Sequence, residues 1–263
     1  MSNHETKVQA NHLEIEKSCM KNYDELTEKD LRIQLAASYR LVEELGWSFL
    51  IFGHLTTRVP GPEKHFLINP YGLMYDEVTA SNLVKIDLEG NKVESSNWDI
   101  NPAGFIIHSA VHSSKKHAHC VMHTHTNAGM AMAALKKGLI NIDFSGSAYH
   151  NRVAYHDFEG VTLRKDECER IANDLEDKSI LILRNHGLLT TGETIAEAFM
   201  KLYTLESACQ VQLMARACDE PYEMVASNIA ESHAKDLKNA ASYRLAFRAL
   251  VRRMLKKDPS FIL

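Results

Sequence analysis

Residues 117–126 read HAHCVMHTHT, and their alternation decides how the chain is organised. In an extended strand, Val121, His123 and His125 point to one face and Cys120, Met122 and Thr124 to the other. Two histidines two residues apart can then turn their imidazoles toward one ion. Upstream, Pro102 sits where a first helical residue would, and AGFIIHSAVHSSKK carries the helical period to two lysines that suit a helix C-terminus. Downstream, a short helix runs from Asn127 toward Gly138. SILILRN (179–185) is a buried-type strand, followed at once by His186 and Gly187. Helices and strands therefore alternate around this segment, which predicts an α/β domain.

Working outward, Thr27 caps a helix with a broad apolar stripe from Leu31 to Leu45. SFLIFGHLTTRV, KHFLINPYG and LVKIDLEGNKV follow as strand-like pieces ended by glycine, proline or asparagine, the pattern of an antiparallel meander. The clearest helix is TIAEAFMKLYTLESACQVQLMARA, opened by a Thr194/Glu197 capping box. A last helix carries Phe247, Leu250, Val251 and Met254 on one face, with a basic stripe of Arg244, Arg248 and Arg252 that reads as solvated. No repeat or linker divides the chain. The expected organisation is a flexible tail over 1–25, one α/β domain over 26–220 and a helical extension over 221–263 packed on it.

Composition narrows the function classes. The 263 residues are 45% hydrophobic and 24% charged, with 30 basic against 34 acidic side chains, a net charge of −4. That balance offers no global field for nucleic acid or an anionic membrane. Five scattered cysteines without CxxC spacing argue against a disulfide framework and a cysteine zinc knuckle. The polar start lacks a signal-peptide core and GMAMAALKKGLI is too short to span a bilayer, so a cytoplasmic protein is expected. What stands out is histidine: 14 residues, six of them between His108 and His125.

A metal site built on His123 and His125 needs a third ligand, and His186 at a strand end qualifies. Neutral imidazoles suit zinc, manganese, iron or nickel. Three protein ligands leave a position for water or substrate, the catalytic arrangement. His108 and His112, at i and i+4 on the preceding helix, also have metal spacing but read more readily as packed, hydrogen-bonded side chains.

The segments FGHLTTRV, FLINPYGLMYDEVTASNLVKIDLEG, NPAGFIIHSAVH, HCVMHTHTNAGMAMAALKKGL, VAYHDFEG and ILILRNHGLLTTGETIAEAF, in this order, resemble the class II aldolase and adducin family, its adducin-like branch in particular. The resemblance implies a three-layer α/β/α sandwich with a mostly antiparallel central sheet, assembled as a homotetramer with sites at subunit interfaces. It also implies one divalent metal per chain, typically zinc, on His123, His125 and His186. Two departures follow the family motifs. The glutamate that serves the aldolases as general acid/base falls on Gly104, which has no titratable group. The positions of the phosphate pocket fall on Gly53 and His54, Tyr71 and Gly72, and Pro102 and Ala103, where most side-chain donors are gone.

The reading is a metal-dependent lyase, aldolase- or decarboxylase-like, acting on a small unphosphorylated carbonyl, keto acid or hydroxy acid through a metal-stabilised enediolate. His108, His54, Tyr149 and His150 are the candidates for the missing acid/base. The alternative is a non-catalytic assembly or binding module like the adducin head, with a retained structural metal. Adducin's neck and lysine-rich tail have no counterpart before Leu263.

Overall fold

The computed structural model describes residues 3–161, 166–237 and 240–263; the side chains of residues 3–7 and of Ala103 lie outside that description. A seven-stranded sheet has the order β3-β2-β1-β4-β7-β6-β5, with β1 His54–Arg58, β2 Phe66–Ile68, β3 Val84–Ile86, β4 Cys120–Thr124, β5 Val153–His156, β6 Ile180–Leu183 and β7 Gly187–Gly192. All neighbours pair antiparallel except β5 and β6. The expected meander is β1-β2-β3. Its first strand is shorter than SFLIFGHLTTRV suggests, because Leu50 adopts a left-handed conformation (φ 54°) and Phe49 and Phe52 close a turn instead.

Two helical layers cover the sheet. On one face lie α3 (Pro102–Ser114) and α6 (Glu167–Leu175). They bury Ile107, Val111, Ile171 and Leu175 against Val121, Leu181 and Leu189. On the other face α2 (Glu28–Glu44), α7 (Ile195–Ala217) and α9 (Ala240–Lys257) build the larger core around Tyr39, Phe199, Leu202 and Phe247. This is the three-layer α/β/α arrangement. Among the described residues no helix is long and apolar enough to cross a membrane.

Capping explains where the helices begin. The Thr27 hydroxyl accepts from the Asp30 amide at 3.2 Å, and the Asp30 carboxylate accepts from the Thr27 amide at 3.0 Å. At α7 the Thr194 hydroxyl accepts from the Glu197 amide, but the returning carboxylate accepts from Glu193, one residue before the cap. The reciprocal box read from the sequence is thus half formed.

The segment 1–25, expected as a loose tail, holds α1 (Asn3–Ser18), which lies against α9. Ile15, Ser18 and Cys19 are buried. Glu16 sits between Arg248 and Arg252 at 3.1 Å from each. Burial raises its carboxyl, and the two guanidiniums outweigh that and leave it below its ordinary value. Part-exposed ion pairs contribute about 0–1 kcal/mol, against roughly 1.5–3 kcal/mol for burying one isoleucine side chain, so apolar contact holds the helix and charge orients it. Two arginines of the basic stripe read as solvated therefore face α1, and the third, Arg244, donates to Asn22 at 2.8 Å. The sequence reading missed this because α1 has no clear apolar period to announce a buried face.

The helical extension contributes to the same core: Phe247 and Val251 are fully buried beside Phe199. Phe247→Ala should destabilise the protein by about 3–5 kcal/mol. The lowered urea midpoint should remain a single transition by fluorescence and by far-UV circular dichroism. Separate transitions would mean that the extension unfolds on its own.

Candidate metal centre

The register of three strands gathers the site at one end of the sheet. His54 opens β1 directly opposite His123 in β4, and His123 in turn faces Leu189 in β7. Residues directly opposite share a face, so His54 and His123 project together. His125 lies one residue beyond the end of β4. His186 stands in the hairpin between β6 and β7, where its amide donates to Leu183 and Asn185 takes the left-handed conformation (φ 55°). Gly187 is needed for closeness: a Cβ there would collide with the Thr124 carbonyl and press on the His123 and His125 rings.

The three imidazoles converge as the sequence predicted. His123 Nε2 lies 2.7 Å from His125 Nε2, which lies 3.0 Å from His186 Nε2. All three ligand atoms fall within 4.8 Å of one another. Zinc–nitrogen distances of 2.0–2.1 Å in a tetrahedron separate the nitrogens by about 3.3 Å, inside the observed spread. His123 Nδ1–H donates to the Leu188 carbonyl at 2.9 Å, which fixes the tautomer and leaves Nε2 as a lone pair. Protonation does not relieve the crowding. Burial, then His125 and His186, holds His123 well below its ordinary value. Burial, then His186 and His54, pushes His125 down to about 4, and His186 is lowered mainly by burial. Three neutral donors facing one another at this separation fit a divalent cation.

The cleft above them encloses about 550 Å³, and His54, Gly104 and Tyr71 line it together with the three imidazoles. His54 explains the missing side chain at position 104: a Cβ on Gly104 would fall inside the His54 ring. One residue can occupy that volume, and here the imidazole does. His54 Nδ1 is 3.2 Å from Asn69 Oδ1. With that oxygen accepting, Nδ1 carries the proton and Nε2, on the Gly104 side, keeps its lone pair. Burial, partly offset by Asn69, pushes the imidazole down to about 4.

The other candidates sit elsewhere. His108 lies behind the cleft wall, with Nδ1 2.7 Å from Thr56 Oγ1, which is also 2.8 Å from His112 Nε2. His112 Nδ1–H donates to the Ala118 carbonyl. That orders the row: Thr56 donates to His112 and accepts from His108, leaving the buried His108 Nε2 without a hydrogen-bond partner. Tyr149 donates to the Lys201 carbonyl at 2.8 Å, and His150 lies 2.6 Å from the Asn141 amide nitrogen. Neither lines this cleft within the chain.

Sequence reading passed over Asn69, Thr56 and Glu206. Glu206 accepts a 2.5 Å hydrogen bond from Thr126, the cap of α4 (Asn127–Ala133) beside His125. Burial raises its carboxyl. His156, buried and 2.7 Å from Asp174, was also missed. These are polar side chains inside apolar segments, where periodicity carries no signal for them.

Residues 33–213 match the family model described as Class II Aldolase and Adducin N-terminal domain. A Caulobacter vibrioides protein named for the class 2 aldolases is 47% identical over 204 residues, covering 78% of this chain and 79% of that one. Rat alpha-adducin is 47% identical over 189 residues, covering 71% of this chain and 26% of that protein. A crystal structure of an aldolase II superfamily protein from Pseudomonas syringae superposes with a TM-score of 0.86 at 40% identity, over 90% of this chain and 96% of that one. L-fuculose 1-phosphate aldolase from Glaciozyma antarctica gives 0.79 at 29% identity, over 88% and 92%.

Two measurements test the centre. Purified protein should carry about one divalent ion per chain by elemental analysis, and His123→Ala or His125→Ala should abolish it; metal-free protein never exposed to chelator would contradict the site. The second concerns acid. His54 and His112 fall from 6.5 to about 4 and about 3, in each case first through burial. Between those values and 6.5 the unfolded chain binds protons that the folded chain refuses, so stability rises with pH and is lost as pH falls. Each group contributes at most about 1.4 kcal/mol per pH unit. Urea midpoints of the metal-free protein should drop steadily from pH 7 to pH 5, and His112→Gln should make the slope shallower.

Proposed function

The chain belongs to the class II aldolase and adducin family, and from that premise we propose that it is a metal-dependent lyase acting on a small unphosphorylated carbonyl, keto acid or hydroxy acid. The observation that carries the reading is the pairing of the open three-histidine centre with the His54 imidazole in the space of a side chain at 104. One divalent ion per chain, zinc by preference, would be held by His123, His125 and His186 and would supply Lewis-acid polarisation of a bound carbonyl.

The protein's own groups do the rest. His54 Nε2 is the proton acceptor at the cleft wall. Asn69 holds its other nitrogen and so fixes which end carries the lone pair. Burial keeps the imidazole neutral and able to accept across neutral pH, as a weaker base than a free imidazole, and makes its protonated form a ready donor on return. Phe49 and Phe158, whose rings stand edge-on to His125 and His186, flank the approach to the centre. His108 and Thr56 support His54 from behind. Tyr149 and His150 would reach a site only in a neighbouring subunit, and the family relationship is the support for a homotetramer. A cytoplasmic location belongs to the same reading.

A second reading, an assembly module with a retained metal, is favoured by the 47% identity to alpha-adducin. Turnover separates the two. A panel of keto and hydroxy acids should include one that the metal-loaded protein cleaves or decarboxylates. On that substrate His54→Gln should lower kcat by about 10²–10⁴-fold with metal content unchanged. Gly104→Ala, which displaces the same ring, should act in the same direction. Undiminished kcat in His54→Gln would remove His54 from the mechanism, and full metal occupancy without turnover on any substrate would favour the assembly reading.

A further inference from the structure

The cleft that holds the three imidazoles is walled chiefly by rings and hydrocarbon. Phe52, Tyr71, Met130 and Ile107 line it, with Phe49 and Phe158 beside the ligand histidines. Four of these six are aromatic, and they are not core residues: Phe49 is 45% exposed, Phe52 38%, Tyr71 37% and Phe158 55%. Keeping so many rings in water at one mouth is unfavourable unless something apolar covers them. Phe49 lies 5.8 Å from the His125 ring at 77°, and Phe158 lies 6.2 Å from the His186 ring at 68°. The mouth is thus a set of ring faces and edges directly beside the polar centre.

The polar side chains of the cleft are the four imidazoles with Asn101 and Asn185. Pro102 has no amide hydrogen to offer, and Tyr71 presents a ring where a small hydroxyl donor would be needed to hold a phosphate. An occupant that satisfies both halves has a chelating carbonyl or hydroxy-carbonyl group at one end and a planar apolar group at the other. We infer that the substrate of this site is an aryl-substituted carbonyl compound, its ring packed among Phe49, Phe52, Tyr71 and Phe158. This rests on the metal-dependent reading above and names the substrate class for it.

Calorimetric titration of the zinc-loaded full-length protein with three hydroxamates tests the inference without needing turnover. Acetohydroxamate measures chelation alone; phenylacetohydroxamate adds the ring, and phosphonoacetohydroxamate adds an anion in its place. Burying a phenyl group should tighten binding by about tenfold or more over acetohydroxamate, and the phosphonate should bring no such gain. Phe158→Ala and Phe49→Ala, both at exposed positions, should bring the phenyl-to-methyl affinity ratio toward one while zinc content stays intact. Equal affinity for the phenyl and methyl probes, tighter binding of the phosphonate, or an unchanged ratio in both variants would each overturn the aryl assignment and leave the metal centre standing. Failure of all three hydroxamates to bind would overturn the centre and the inference together.

Discussion

Strand β4 is hydrogen-bonded on both sides, and its register with β1 and β7 is the constraint from which the site follows. The pairs His54↔His123 and His123↔Leu189 bring the histidine end of the sheet into one row. A slip by one residue would turn His123 toward the larger core and bring Cys120 and Met122 to the face that it leaves. The slip is opposed by the two faces themselves. Cys120 and Met122 are buried in the larger core, and Val121 is buried under α3. The positions of the imidazoles are therefore set by the apolar packing of neighbouring residues on the same strand.

That division explains what could be read from the residues alone. The HxH alternation, the proline-opened helix and the buried strand before His186 are local patterns, and each became the element it suggested. The third member of the histidine cluster was legible because His186 stands at a strand end, though the left-handed residue in its turn is Asn185, with Gly187 serving close approach. What local pattern does not encode is contact between distant segments. His54 and Gly104 are fifty residues apart in the chain, and nothing near either announces that one ring fills the other's volume. The same holds for Glu16 and the arginines of α9, and for Thr56 between His108 and His112.

Burial of so many imidazoles gives the protein a distinctive electrostatic character. His54, His108, His112, His123 and His125 are all pushed below the ordinary histidine range, chiefly by burial, and at His108, His123 and His125 by neighbouring imidazoles as well. Burial keeps them neutral against the pull of the oxygens that accept from His54, His112 and His123, and those hydrogen bonds fix which ring nitrogen carries the proton. Thr56 accepts from one imidazole and donates to the next, so its single proton sets the tautomer of both. A valine there would keep the shape and lose the order.

The shared volume of His54 and Gly104 also constrains how such a site can change over generations. A side chain cannot return to position 104 while the ring is in place, and removing the ring first leaves a cleft with neither group. Any route between a carboxylate at 104 and an imidazole at 54 must pass through an intermediate that lacks both or rearranges both. The two positions therefore act as one unit of volume, and a substitution at either is felt at the other before any chemistry is considered.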